Sequence, residues 1–120
     1  MTWMALKVVI VDDHAGFRSG ARALLDEEGY EVVGEAADGK SGVALVRETQ
    51  PDVVLLDIQL PDMTGFEVAH RVADEWPKAR IVLISSREAS DYRGRLSSIA
   101  APFISKADLS GATLAAAIAR

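Results

Sequence analysis

The stretch Lys7-Val8-Val9-Ile10-Val11-Asp12-Asp13-His14 sets an unbroken apolar run directly against two acids. Four consecutive Val/Ile residues show no polar alternation, so they fit a strand covered on both faces, as in a parallel sheet. The pattern recurs at 53–57, VVLLD. Residues 81–84 and 103–104 give two more apolar strands. Residues 31–36 are more mixed and predict a strand nearer an edge.

Between these runs the spacing becomes helical. Phe17, Ala21, Leu24 and Leu25 follow one face, and Phe66, Ala69, Val72, Ala73 and Trp76 follow another. Val43, Ala44, Leu45 and Val46 predict a shorter helix before Pro51. Leu109, Leu114, Ala117 and Ile118 mark the last helix, with Ser110 as its cap and Leu109 and Leu114 as a hydrophobic staple. Residues 88–99, with Ser90, Gly94, Ser97 and Ser98, predict a loosely packed helix. Five strands alternating with five helices imply a flavodoxin-like (βα)5 three-layer α/β sandwich, parallel order 2-1-3-4-5, with right-handed crossovers. Ligands in such sheets bind at the carboxyl ends of the strands, near the switch between strands 1 and 3.

Composition narrows the function classes. A chain of 120 residues predicts one domain, 1–120, and 49% hydrophobic with 26% charged residues is a globular balance. Cysteine is absent, which excludes disulfides and thiolate metal sites and fits a reducing, cytoplasmic setting. Thirteen basic residues against eighteen acidic ones give a net charge of −5, so the chain itself is a poor partner for nucleic acid or an anionic membrane. No apolar run approaches the ~20 residues of a membrane span. The opening MTWMALK is not a signal peptide, and Trp3 reads as a tail residue before the first strand.

The predicted rim of the sheet carries the chemistry. Strand 1 ends in Asp12 and Asp13, strand 3 in Asp57, strand 4 in Ser85, and strand 5 in Ser105 and Lys106. Each alone is commonplace: an Asp after a strand is usually a turn or cap residue, and a lone Lys is usually solvated. Together they place three carboxylates, a hydroxyl and an ammonium at one crevice. Crowded carboxylates need compensation, which Lys106 and a hard divalent cation can supply. Mg²⁺ fits oxygen ligands of this kind, with Mn²⁺ as an alternative occupant. Such a set suits phosphoryl transfer to a carboxylate, giving an acyl phosphate.

One motif points elsewhere. Gly34-Glu-Ala-Ala-Asp-Gly39-Lys40-Ser41 matches the phosphate-cradling G-x-x-x-x-G-K-[ST] pattern. Glu35 and Asp38 would put two negative charges in a loop meant for phosphate, and Gly34 falls inside the second strand, so this reading is rejected. His14 could serve as a base or a metal ligand, but its position fits the start of the first helix.

These motifs, VVIVDDH at 8–14, DVVLLDIQLPDMTGFEV at 52–68, IVLISS at 81–86 and FISKADL at 103–109, closely resemble a response-regulator receiver domain of the CheY-like fold. The resemblance implies Asp57 as phosphoacceptor, Asp13 binding Mg²⁺ directly, and Asp12 acting mainly through water. It implies that Gln59 lends a backbone carbonyl to the metal, and that Ser85, with Ser86 beside it, and Lys106 hold the phosphoryl oxygens. Phe103 takes the place of an aromatic switch residue that turns inward when the hydroxyl residue moves. Asp12-Asp13-His14, the stretch 29–39 and Lys106-Ala107 look like the NarL/FixJ (LuxR-type) group, whose members usually continue into a helix-turn-helix DNA-binding domain. On that resemblance the chain is a single-domain regulator or, as its stop at Arg120 favours, a receiver fragment of a transcription factor, with any DNA contact left to an absent domain.

The departures are Ser85 for the commoner Thr, Pro102 where many receivers carry Gly, and the missing Lys-Pro step. Gln59 and Arg87 are expected to flank the path of hydrolytic water. The last helix carries no charge from 109 to 119, and its outward Ala112, Ala115, Ala116 and Ala119 are expected to meet a second copy or an output domain. The leading expectation is a phosphorylation-controlled switch that accepts its phosphoryl group from a sensor histidine kinase and hydrolyses it slowly, without being a turnover enzyme. The alternatives are a phosphorylation-independent pseudo-receiver and a Mg²⁺-dependent phosphatase of the haloacid-dehalogenase class, whose D-x-D pattern would need an acid where His14 stands.

Overall fold

A computed structural model of the chain describes residues 5–87, 91, 92 and 101–119. The elements in order are β1 (Lys7–Val11), α1 (Ala15–Glu27), β2 (Glu31–Ala36), α2 (Gly39–Thr49), β3 (Val53–Asp57), α3 (Gly65–Glu75), β4 (Arg80–Ser85), β5 (Phe103–Ser105), a 3-10 turn (Lys106–Asp108) and α4 (Gly111–Ile118). The helix expected over 88–99 and the tail residue Trp3 lie outside the described residues, apart from Asp91 and Tyr92.

The five strands form one sheet in the order β2-β1-β3-β4-β5, with every pairing parallel. Three of the apolar runs are the central strands β1, β3 and β4, and the fourth, at 103–104, lies in the edge strand β5. Val8–Val11 of β1 and Val53–Leu56 of β3 have no exposed surface. Alternation along these strands divides the core in two. Val9, Val11, Val54, Leu56 and Leu83 pack with Val43 and Val46 of α2 and Phe66, Ala69 and Val72 of α3. Val8, Ile10, Val53, Leu55, Val82 and Ile84 pack with Ala21 and Leu25 of α1 and Leu114 and Ile118 of α4. The mixed strand β2 is an edge strand, as expected. Its register against β1 slips between Val8 and Val9, where Val8 faces Val32 but Val9 faces Gly34.

The chain's polar punctuation fixes the helix ends. Asp38 caps α2, Thr64 caps α3, and Ser110 caps α4 within a reciprocal box formed with Thr113. With Ser110 as the cap, as expected, α4 starts at Gly111, and Leu109 packs against the core cluster that holds Leu114. The helix expected around residues 43–46 is longer than its apolar residues implied, running over eleven residues. Pro102 is accommodated because the β4–β5 ladder needs only its carbonyl there, which accepts from Leu83 N–H at 2.9 Å.

The register delivers the functional residues. Asp57 is the last residue of β3, Ser85 of β4 and Ser105 of β5, and Asp12 follows β1 directly. All four are buried polar side chains at one end of the sheet.

Candidate functional site

Asp12 is fully buried and 3% of Asp57 is exposed, whereas Asp13 is exposed. Ligand atoms of Asp12, Asp13, His14 and Asp57 all lie within 4.8 Å of one another. Lys106 reaches this group from the far side of the sheet. Its Nζ stands 2.7 Å from Asp12 Oδ2 and 3.5 Å from Asp57 Oδ2. The ammonium also lies 4.4 Å from the centre of the Phe17 ring, a cation–π contact that fixes its approach.

The backbone turn that presents Asp12 and Asp13 is tied down. Asp12 N–H donates to Ala36 O at 3.0 Å, and His14 N–H donates to Asp12 Oδ1 at 2.8 Å. Arg18 Nη1 donates to the Asp12 carbonyl at 2.6 Å, while Glu35 accepts from Arg18 Nε at 3.2 Å and Arg22 Nε at 2.6 Å. His14 is the N-cap residue of α1 but makes no side-chain cap bond. Its mostly exposed ring instead places Nδ1 3.2 Å from Asp13 Oδ1 and 3.4 Å from Asp12 Oδ1.

Asp57 is held on the other side. Gln59 N–H donates to Asp57 Oδ1 at 3.2 Å, and Gly65 N–H donates to Ile58 O at 2.7 Å, closing the loop after β3. A side chain on Gly65 would strike the Asp57 and Ile58 backbone, so the first turn of α3 lies directly on the acid's main chain. Burial, followed by the neighbouring Asp12 charge, pushes the Asp57 carboxyl up to about 6, against the opposing pull of Lys106 and the Gln59 N–H. The cluster is therefore under-compensated by protein cations alone. Asp12 Oδ2 is buried and, Lys106's charge contact aside, takes no directed hydrogen bond among the described residues. A hard cation with oxygen preference fits that donor set.

Ser85 is 1% exposed and does not stand alone. Its Oγ lies 2.5 Å from the Tyr92 hydroxyl and accepts from Arg87 N–H at 3.0 Å. Ser86 and Arg87 are exposed beside it, as is Gln59. Phe103 is half-buried, with its ring 6.0 Å from Tyr92. Ala112, Ala115 and Ala116 of α4 and Ala119 at its C-cap are all exposed.

The phosphate-loop pattern is excluded by its own geometry. Gly34 lies in β2, and the amides a phosphate would need at the start of α2 are taken by carboxylates. Asp62 accepts from Gly39 N–H at 2.7 Å and Lys40 N–H at 2.9 Å, and Asp38 accepts from Ser41 N–H at 2.7 Å. The Gly39 and Lys40 amides, in that order, hold the Asp62 carboxyl below the ordinary carboxylate value.

Residues 8–118 match the model of the response regulator receiver domain family. The chain belongs to that family. Among relatives, the receiver domain is 38% identical over 92 residues to the response regulator GacA of Pseudomonas aeruginosa, an alignment covering 76% of this chain and 43% of GacA. It spans less than half the length of the curated relatives it matches. Among solved structures it is similar to a LuxR-family two-component response regulator from Aurantimonas sp. SI85-9A1, with 31% identity, TM-score 0.84, and coverage of 97% of this chain and 84% of that one. It is also similar to the CheX–CheY–BeF3–Mg complex from Borrelia burgdorferi, with 27% identity, TM-score 0.81, and coverage of 94% and 86%. The LuxR/NarL grouping expected from the sequence is thus shared by its relatives, and the 2-1-3-4-5 sheet is the receiver fold. No helix of the described residues is long and apolar enough to cross a membrane.

Four participants escaped the sequence reading. Tyr92 lay in a polar stretch with no periodicity to place it. Asp62 acts on amides 22 and 23 residues away, a distance no local pattern reveals. Phe17 was read only as a core residue of α1, and Arg18, one residue on, left a single signal: a basic residue in the first turn after an acidic pair.

Proposed function

We propose that this receiver domain accepts a phosphoryl group on Asp57 from a sensor histidine kinase, with Mg²⁺ or Mn²⁺ bound, and that the change at Ser85 and Phe103 controls an output domain or partner. The observation that carries this reading is the gathering of a nearly buried Asp57 carboxylate with the Lys106 ammonium and the Asp12–Asp13 pair at one rim. Asp13 and Asp57 would hold the cation by carboxylate, Gln59 by its carbonyl, and Asp12 chiefly through water. The cation, when bound, neutralises charge on the phosphoryl oxygens.

The chain's own residues do the rest. An Asp57 carboxylate oxygen attacks phosphorus while the bond from phosphorus to the kinase imidazole nitrogen breaks, and the departing imidazole takes a proton. Lys106, and Ser85 with Ser86, bind the phosphoryl oxygens. Water later attacks the acyl phosphate, releasing inorganic phosphate and restoring the carboxylate, with exposed Gln59 and Arg87 flanking the approach. The Borrelia neighbour, whose complex holds BeF3 and Mg, supports the cation and phosphoryl assignment by analogy. The relatives BvgA and DegU, named as transcription regulators, support transcription regulation as the output.

Incubation with acetyl phosphate and Mg²⁺, followed by intact-mass measurement, tests the reading. Wild type is expected to gain one phosphoryl group and Asp57→Asn none. No adduct under any condition would favour a phosphorylation-independent interaction module, and steady turnover of phosphate esters would favour a phosphatase. The charge-free alanine face of α4 belongs to the same proposal as a contact between two copies. Ala116→Glu is expected to abolish a beryllofluoride-dependent rise in sedimentation coefficient, and an unchanged rise would remove α4 from the contact.

A further inference from the structure

Ser85 and Tyr92 share a buried hydrogen bond that phosphoryl transfer itself does not require. Their hydroxyl oxygens lie 2.5 Å apart, and Tyr92 is only 7% exposed. The phenol ring is fixed by its neighbours: it meets Phe66 edge-on with centroids 5.9 Å apart, and Phe103 at 6.0 Å. A serine hydroxyl has one proton and two lone pairs. Arg87 N–H already occupies one lone pair of Ser85 Oγ. One proton and one lone pair of Ser85 remain, and its bond to Tyr92, in which either hydroxyl can donate, uses one of the two.

We infer that Tyr92 is a positioning residue that holds Ser85 in its resting place and competes with the phosphoryl oxygens for the serine hydroxyl. This rests on the reading of Asp57 as phosphoacceptor. Ser85 can donate its single proton to Tyr92 or to a phosphoryl oxygen, not to both. A shift of Ser85 toward the phosphoryl group breaks its bond to the phenol whichever hydroxyl donates, because Phe66 and Phe103 hold that ring in place. Because that phenol packs against Phe103, the competition couples the serine to the aromatic ring at the start of β5. The hydroxyl that couples the two comes from Tyr92, since Phe103 has none.

The test is beryllofluoride binding in Mg²⁺, measured by calorimetry on the full chain. The variants are Tyr92→Phe, Tyr92→Leu, Ser85→Ala and the Ser85→Ala/Tyr92→Phe pair. Removing the phenol hydroxyl is expected to tighten binding by about two- to tenfold, the net worth of one hydrogen bond. In the Ser85→Ala background the Tyr92→Phe change is expected to have no effect. A folding defect would weaken binding, not tighten it. Unchanged or weaker binding in both Tyr92 variants, or an equal gain without Ser85, would overturn the inference and leave the phosphoacceptor reading intact. Failure of wild type to bind beryllofluoride at all would overturn both.

Discussion

Lys106 Nζ, at the end of the edge strand β5, stands 2.7 Å from Asp12 Oδ2, at the end of the central strand β1. The two are separated in the sheet by β3 and β4, so this contact closes the rim over Asp57. It sets one ammonium against two buried carboxylates, an incomplete neutralisation on which the predictions below turn.

Replacing Lys106 by Met keeps the stem that packs over Phe17 and removes the charge. Asp12 and Asp57 are then left buried without a protein cation, a situation that costs about 3–5 kcal/mol when one partner of a buried pair is removed. A smaller loss, about 2 kcal/mol, is expected here because Asp57 can take up a proton. Urea unfolding in EDTA measures it, and added Mg²⁺ is expected to restore part of the loss. Equal stability of the two chains in EDTA would show that Lys106 does not compensate the acids.

Asp57 has a folded-state carboxyl raised to about 6. The native state therefore holds a proton that the unfolded state releases, and stability falls as pH rises from about 4 to about 6 before levelling off. Asp57→Asn removes this slope. In EDTA at neutral pH the variant is expected to be more stable than wild type by about 1–2 kcal/mol, the two converging near pH 4. Parallel stability–pH curves over this window would contradict the burial-driven shift.

Gly65→Ala pushes a methyl group into the Asp57 and Ile58 main chain. A cost of about 2 kcal/mol or more is expected, because the obstacle is backbone and cannot rotate away. Chemical unfolding reads the loss. Acetyl-phosphate labelling of the folded fraction is expected to slow as Asp57 is displaced. A neutral substitution would mean that the loop after β3 is free to shift.

Arg18 holds the Asp12 carbonyl from outside the cluster and is itself held by Glu35. Arg18→Gln is expected to weaken Mg²⁺ binding about tenfold, at the low end for residues that orient metal ligands. Fluorescence or calorimetric titration measures this, and an unchanged affinity would limit Arg18 to helix packing.

How much of this was legible in the sequence follows from range. Apolar runs fixed β1, β3 and β4 within a residue or so because a doubly covered strand tolerates nothing else. Each run is followed by its polar residues, so Asp12, Asp57, Ser85 and Lys106 are legible in the sequence as one rim. Helix lengths were less readable: α2 runs over eleven residues although its apolar residues span only 43–46, whereas α4 starts where its Ser110 cap sets it. Contacts between distant segments left no pattern. Asp62 on the α2 amides depends on the finished fold bringing two distant segments together, while Arg18 on the Asp12 carbonyl and Tyr92 on Ser85 lie only six and seven residues apart but rest on side-chain placement that no periodicity encodes. The phosphate-loop pattern shows the converse, since its letters matched while its helix amides were committed to Asp38 and Asp62.

The central claim is that Asp57, among the crowded acids, is the residue phosphorylated. Treatment with acetyl phosphate and Mg²⁺, reduction with borohydride, and peptide mass sequencing test it directly, because hydride converts an aspartyl phosphate to homoserine at the modified position. Homoserine at position 57 alone is the predicted result. Homoserine at position 12 or 13, or at none of the three, would contradict it.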